Sequence, residues 1–208
     1  MVYIAGLDLA QSVDFTALSI LDIQGDPPRV EVAQLLRWRG LAYPAIVEQV
    51  ADIVHRPPLW SSSYGFWDPA HGGQSQCALV ADRTGVGAAV IDLLRQARIS
   101  PLVGVFIHGG SATTHKGLNY NVPKVDLVTS VQLLVQDGRL RIPPVLPEAA
   151  TLTQELLNFR YKLNPQTAHE SFGAWREREH DDMVLSVALA VWWGTHTGWK
   201  KARAWGRP

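Results

Sequence analysis

Apolar and polar positions in the first quarter of the chain recur with the periods of three strands and one helix. Residues 2–9 and 16–23 are short apolar segments rich in β-branched residues, and turn-forming residues lie between them at 10–15. This pattern predicts a β-hairpin. Alternation over 30–38 predicts a third strand, and an apolar stripe at 46–54 has the spacing of a helix. The chain therefore opens with an antiparallel meander that leads into a helix.

The middle of the chain alternates buried strands with a helix. Residues 77–81 are apolar without a polar face, which is typical of a strand buried on both sides, and they run directly into Asp82. A helical stripe begins at Val86, and residues 102–107 have the pattern of a second buried strand. Two polar, glycine-containing stretches are predicted to be long surface loops: 59–76 and 108–120.

The last third adds three helices. Helices are predicted at about 123–136, 147–159 and 181–194, with short strands at 140–142 and 171–175. A meander followed by alternating helices and strands predicts an α/β fold, a mixed sheet of five or more strands with helices on both faces. We expect one domain over 1–197 and a basic, tryptophan-containing tail over 198–208.

Composition narrows the class of protein. The chain has 208 residues, 47% of them hydrophobic, and 19 Lys and Arg balance 19 Asp and Glu, so disorder over the whole length is excluded. Cys77 is the single cysteine, which excludes an intramolecular disulfide and a multi-cysteine zinc site. The longest apolar run is too short to cross a bilayer, and the N-terminus lacks a signal-peptide pattern. We expect a cytoplasmic protein without a membrane partner, and any DNA contact would need a local basic patch.

Four aspartates stand where this topology predicts a common edge of the sheet. Asp8 and Asp82 end two predicted strands, and Asp181 and Asp182 begin the last helix directly after His180. Carboxylates gathered within a few Å repel one another and raise each other's pKa unless a cation holds them ionised. Each acid alone could also be a turn former or a helix cap. Their coincidence at three rim positions favours a metal site.

Oxygen-only ligation predicts the identity of the metal. Carboxylates and water suit the hard ions Mg²⁺ and Mn²⁺, which bind together with substrate phosphates. Two such ions about 3.5–4 Å apart activate a water and stabilise the leaving oxygen of a phosphodiester. The acids therefore predict hydrolysis of a nucleic-acid strand.

Four segments of the chain resemble a known family. They are GLDLAQSVDFTALSILD at 6–22, VADRTGVGAAVIDLL at 80–94, VPKVDLVTSVQLLVQDGRLRIP at 122–143 and HDDMVLSVALAVWW at 180–193. Together they resemble the C-terminal nuclease domain of phage terminase large subunits, which has a ribonuclease H-like fold. The resemblance implies an endonuclease dependent on two Mg²⁺ or Mn²⁺ ions that cleaves double-stranded viral DNA concatemers during genome packaging, in the host cytoplasm.

The resemblance also implies roles for individual residues. Asp8 would bridge the two ions, Asp82 would complete one site and Asp181 the other, with Asp182 as an auxiliary ligand. His180 would orient a ligand or a water, and Lys124 would contact a phosphate; each has an equally simple reading as a structural or solvated residue. DNA contacts are expected from basic residues of the loops and the tail: Lys116, Lys200, Lys201 and Arg203.

One departure from the family pattern concerns the motor. Terminase large subunits carry an ATPase domain before the nuclease, and the phosphate-loop pattern G-x-x-x-x-G-K-[ST] does not occur in this sequence. The chain is then either an excised domain or a standalone nuclease relative. The implied partners are DNA, an ATPase domain, a small terminase subunit and a portal protein.

Other classes of protein compete with this interpretation. A Holliday-junction resolvase is the nearest enzyme, and a non-catalytic module that docks on DNA or a portal protein is the main non-enzymatic alternative. Gly85 and Gly87 after a strand suggest dinucleotide binding, but an antiparallel meander replaces the βαβ unit. The first hairpin also resembles the phosphate loop of actin and sugar-kinase ATPases, which need about twice this length.

Overall fold

The computed structural model describes residues 2–10, 14–61, 66–68, 73–85, 87–162 and 181–198. In chain order the strands are β1 (Val2–Asp8), β2 (Phe15–Gln24), β3 (Arg29–Arg39), β4 (Trp60–Ser61), β5 (Phe66–Asp68), β6 (Gly73–Ser75), β7 (Cys77–Asp82), β8 (Leu102–His108), β9 (Thr114–Lys116), β10 (Asn119–Pro123) and β11 (Leu140–Arg141). The helices are α1 (Tyr43–Val54), α2 (Gly87–Gln96), α3 (Lys124–Gln136), α4 (Ala149–Lys162) and α5 (Asp182–Trp193), and a π-helical turn (Gly194–Gly198) follows α5.

Eight of these strands form one mixed sheet in the order β11-β3-β2-β1-β7-β8-β10-β9. The meander β1-β2-β3 is antiparallel, whereas β7 runs parallel to β1, β8 parallel to β7, and β10 parallel to β8. The predicted α/β fold with a mixed sheet of five or more strands is confirmed. The two innermost strands, β1 and β7, end at the same edge because they are parallel neighbours.

Helices cover both faces of the sheet, and each face has its own apolar core. One core contains residues of α1 and α2 packed on the sheet, including Ala5, Leu7, Ile46, Val50, Leu79 and Val90. The other contains residues of α3, α4 and α5, including Ile4, Val80, Leu127, Leu152 and Met183. Strand β1 contributes to both cores because successive side chains of a strand point to opposite faces. None of the helices in the described part of the chain is both long and apolar enough to cross a membrane.

Both segments expected to be long loops contain strands. Within 59–76, β4, β6 and β5 form a small antiparallel sheet, and within 108–120, β9 pairs with β10 at the edge of the main sheet. These strands have two to five residues, too few for alternation to stand out against polar and glycine-rich composition. The strand expected at 171–175 and nearly all of the expected tail at 198–208 lie outside the described residues.

Candidate active site

Asp8 and Asp82 stand side by side at the carboxyl ends of two parallel strands. Strand β1 ends at Asp8 and β7 ends at Asp82. The register pairs Leu7 with Ala81, so the next residue of each strand stands beside the other. Neighbouring strands are about 4.8 Å apart, and paired residues project from the same face. The fold therefore brings together the first two acids that the sequence singled out.

Helix α5 packs on β1 and β2, and it reaches closest to β1 where the strand has a glycine. A Cβ at Gly6 would lie 1.8 Å from the carbonyl oxygen of Ser186, so only glycine permits this approach. Near the other end of the helix, a Cβ at Gly194 would lie 2.6 Å from the side chain of Ile4. The helix thus runs antiparallel to β1. One helical turn back from Ser186 covers about 5–6 Å, similar to the two residues from Gly6 to Asp8, so the helix begins at the carboxyl end of β1.

The pKa of Asp8 depends on the other charged groups at this edge of the sheet. Burial raises the pKa of Asp8 well above its ordinary value, and the negative charges of Asp82, Asp181 and Asp182 raise it further. The positive charge of Lys124 acts in the opposite direction. Acids from β7 and the start of α5 therefore lie within electrostatic range of Asp8 on β1. Such a carboxylate is stabilised in its ionised form by a nearby cation.

Asp181 precedes α5 and lies beside a lysine of another helix. The Nζ atom of Lys124, the first residue of α3, lies 4.0 Å from Oδ2 of Asp181, and both side chains are largely buried. A lysine in the first turn of a helix opposes the positive end of the helix dipole, so the acids nearby offset an unfavourable position. Lys124 thus brings a positive charge to the edge where the acids meet.

Asp182 has surroundings quite different from those of its neighbour Asp181. Its carboxylate is buried and accepts two hydrogen bonds from Arg37 on β3, from Nε to Oδ2 at 2.6 Å and from Nη2 to Oδ1 at 2.9 Å. The guanidinium lies 3.8 Å from the centre of the Phe15 ring, and its Nη2 lies 3.6 Å from Oε1 of Glu155 on α4. Both oxygens of Asp182 are thus engaged by a cation of the protein itself. Its role as an auxiliary metal ligand stays a prediction.

The turn after β7 fixes the carboxylate of Asp82. The backbone N–H of Thr84 donates to Oδ1 of Asp82 at 2.8 Å, and the Thr84 Oγ1 accepts from the backbone N–H of Ile107 at 3.0 Å. A Cβ at Gly87 would lie 2.3 Å from the carbonyl oxygen of Asp82, so the start of α2 needs glycine there. Three residues of the segment DRTGVG, Asp82, Thr84 and Gly87, therefore have a structural role. Together they hold the carboxylate of Asp82 at the edge of the sheet.

The donor set at this edge fits a hard divalent cation. The acids whose charges act on Asp8 are all aspartates, and carboxylate oxygens are the ligands that Mg²⁺ and Mn²⁺ prefer. Among the described residues, no three His, Cys, Asp or Glu side chains are already drawn together closely enough to hold a metal ion. Carboxylates without a counter-charge repel each other, so a bound cation would lower the cost of bringing them together. Asp8, Asp82 and Asp181 are the side chains best placed to provide it with oxygen ligands.

Glu155 is expected to make the metal-free protein pH-sensitive. Burial raises the pKa of Glu155 from 4.5 to about 7, Asp182 also raises it, and the hydrogen bond from Val184 and the charge of Arg37 lower it. Because the folded state binds this proton more tightly than the unfolded state, stability falls as pH rises from about 4.5 to about 7. Urea unfolding in EDTA across this range should show the decline. The Glu155→Gln variant should show a flatter profile, and an equally steep one would contradict the assignment.

The remaining predicted site residues are distributed differently. Lys116 is exposed on β9, at the outer edge of the main sheet. His180, Lys200, Lys201 and Arg203 lie outside the described residues. Arg37 and Glu155 were not among the residues predicted from the sequence. The strand register indicates that Arg37 lies in line with the site, because Arg37 pairs with Ala17 and Ala17 pairs with Asp8.

The strand order with acids at the ends of β1 and β7 and at the start of the last helix defines a ribonuclease H-like nuclease fold. The model of the Terminase RNaseH-like domain family matches residues 5–191. The chain belongs to this family, and the resemblance to terminase nuclease domains is confirmed. No curated protein is similar enough in sequence to count as a match.

Solved structures of terminase nucleases share the fold. The large terminase nuclease from thermophilic phage G20c with bound cobalt is 23% identical, with a TM-score of 0.57, over 91% of this chain and 80% of that one. The Mn-soaked, inhibitor-bound terminase nuclease domain of human cytomegalovirus is 10% identical, with a TM-score of 0.53, over 98% of this chain and 86% of that one. At these identities the likeness concerns the fold.

Proposed function

We propose that the chain is a metal-dependent endonuclease that cleaves double-stranded viral DNA concatemers during genome packaging. One observation carries the proposal: the carboxyl group of Asp8 lies within electrostatic range of three further acids from two other segments. A scaffold gains nothing from acids that raise the pKa of a buried aspartate, whereas a phosphodiester hydrolase uses such acids to hold cations. Membership of the Terminase RNaseH-like domain family supports the same activity.

Three aspartates would hold the metal ions in this proposal. Asp8 would contribute to two Mg²⁺ or Mn²⁺ ions, with Asp82 contributing to one and Asp181 to the other. Bound there, the ions supply activation of a water and stabilisation of the leaving oxygen. Lys124 adds a positive charge beside Asp181, suited to a phosphate of the strand being cut. Two solved structures with this fold, the phage G20c nuclease with bound cobalt and the Mn-soaked cytomegalovirus nuclease domain, support a divalent ion.

The DNA would extend from this edge toward the basic side chains. Lys116 lies on the exposed β9, beyond β8 and β10 in the order of the main sheet, and is proposed as a contact to a backbone phosphate. Lys200, Lys201 and Arg203 are proposed as further DNA contacts. In genome packaging the partners would be an ATPase domain, a small terminase subunit and a portal protein, with the reaction in the host cytoplasm.

Plasmid cleavage tests the proposed activity. Supercoiled plasmid incubated with the purified chain should become nicked and then linear in Mn²⁺ or Mg²⁺ and stay intact in EDTA, because the carboxylates need a cation to act on a phosphodiester. Gel electrophoresis with a synthetic four-way junction in a parallel lane compares the substrates. Plasmid left intact at all metal concentrations would contradict the proposal. Symmetrical cutting of the junction with plasmid left intact would favour a resolvase instead.

A further inference from the structure

The start of α5 is capped in an unusual way. An aspartate directly before a helix ordinarily accepts a hydrogen bond from the backbone N–H of the second or third helical residue. Asp181 occupies this position, but its side chain makes no capping hydrogen bond. The third helical residue is Val184, and its N–H donates to Oε2 of Glu155 at 3.0 Å. A carboxylate of another helix therefore takes the hydrogen bond that Asp181 would ordinarily accept.

Buried charges hold Glu155 in this position. Its side chain is only 6% exposed, so the carboxylate has little contact with water. Its second oxygen, Oε1, has no hydrogen bond and lies 3.6 Å from Nη2 of Arg37, the same nitrogen that donates to Asp182. Arg37 thus contacts two acids at the first turn of α5. Asp182 is part of that turn, and Glu155 accepts a hydrogen bond from the backbone N–H of Val184.

We propose that Glu155 caps α5 in place of Asp181 and thereby keeps the Asp181 carboxylate directed to Asp8 and Lys124. Glu155 is then a positioning residue: it acts through Asp181, which lies 4.0 Å from Lys124 and contributes to the electrostatic environment of Asp8. Without Glu155, the Val184 N–H would be left without an acceptor in a buried place, and Asp181 is the nearest residue suited to supply one. An Asp181 that caps its own helix would be turned away from the other acids.

The inference rests on the proposed function, since it gives Asp181 a metal to bind, and two substitutions of Glu155 separate its possible roles. Glu155→Gln removes the charge but keeps an oxygen that can accept from the Val184 N–H. Glu155→Asp keeps the charge but shortens the side chain by one methylene, so the carboxylate falls short of the N–H. Gln154→Asn is the matched control, because it shortens an exposed side chain at the neighbouring position of the same helix.

The measurement is Mn²⁺ binding to the full chain without DNA, by isothermal titration calorimetry at pH 8, above the pKa of about 7 of Glu155, with folding checked by circular dichroism. Glu155→Asp should bind Mn²⁺ at least tenfold more weakly than wild type, the usual range for residues that orient a metal ligand. Glu155→Gln and Gln154→Asn should stay within about threefold of wild type, well below that range. Stability loss alone, as for a purely structural residue, would leave the affinity of the folded variants unchanged.

The other outcomes separate the positioning role of Glu155 from the proposed function. Wild-type affinity in Glu155→Asp would overturn the positioning role, and so would a tenfold loss in Glu155→Gln, because the charge and not the cap would then matter. Either result, with Mn²⁺ binding by wild type that needs Asp8 and Asp82, leaves the proposed function standing. A wild-type chain that binds no Mn²⁺ would overturn the proposed function and the role of Glu155 together.

Discussion

Asp8→Asn is expected to abolish DNA cleavage in Mn²⁺ or Mg²⁺ and leave the fold intact. Asparagine has the shape of aspartate but no charge, and Asp8 stands between the acids of β7 and α5. Loss of this ligand should reduce the cleavage rate by about 1,000-fold or more, which corresponds to about 4 kcal/mol of lost transition-state stabilisation. Plasmid nicking measured against enzyme concentration gives the comparison with wild type.

Stability separates this prediction from simple damage to the protein. The raised pKa of Asp8 means that the folded, metal-free protein disfavours the carboxylate, so Asp8→Asn in EDTA should unfold at the same or a higher urea concentration than wild type. Asp92→Asn provides a matched control, because Asp92 is an exposed acid of α2 paired with Arg95. Near-normal cutting by Asp8→Asn would remove Asp8 from the site, whereas the control should cut like wild type.

Sequence patterns were sufficient for the part of the site that lies on strand ends. Asp8 and Asp82 each follow a run of apolar residues. Such a run predicts a buried strand, and the end of the run predicts where the strand ends. Once β1 and β7 are neighbours and parallel, the register that pairs Leu7 with Ala81 leaves little freedom for the two acids. The prediction that they share an edge needed only the order of the elements.

Periodicity alone does not distinguish Asp181 from Asp182, and only the family resemblance made Asp181 the main ligand and Asp182 an auxiliary one. The two are adjacent, and around a helix axis neighbouring residues differ by about 100°, so one can point to the rim while the other points into the protein. Asp182 is bound by Arg37, which is 145 positions away in the sequence, and the Val184 N–H is bound by Glu155 of α4. Such partners become visible only when the strands and helices are packed together.

The short strands were missed for another physical reason. Strands β4 and β9 have two and three residues, and they exist because a partner strand supplies hydrogen bonds, not because their own residues favour a strand. Strand β9 has the sequence THK and is exposed, so it lacks the alternating apolar residues that would predict a strand. Strand β9 lies beside β10 and extends the sheet away from the acids. No local sequence pattern predicts this pairing.

Gly6→Ala is expected to impair the proposed active site, although glycine has no side chain that could act in it. The added Cβ would lie 1.8 Å from the carbonyl oxygen of Ser186 and 3.1 Å from the Cβ of Ala190, both in the middle of α5. Backbone cannot rotate away as a side chain can, so the helix must move off β1. We expect the free energy of unfolding to fall by about 3 kcal/mol or more, as measured by urea denaturation.

The same displacement should reach the proposed metal site, because Asp181 directly precedes α5 and its charge acts on Asp8. Mn²⁺ affinity and plasmid cutting should therefore fall in the folded fraction of Gly6→Ala as well. Gly109→Ala is the matched control, since a Cβ there would meet nothing within 4 Å, and its stability should change by less than about 0.5 kcal/mol. Wild-type stability and cutting in Gly6→Ala would mean that close packing of α5 on β1 is not what brings the acids together.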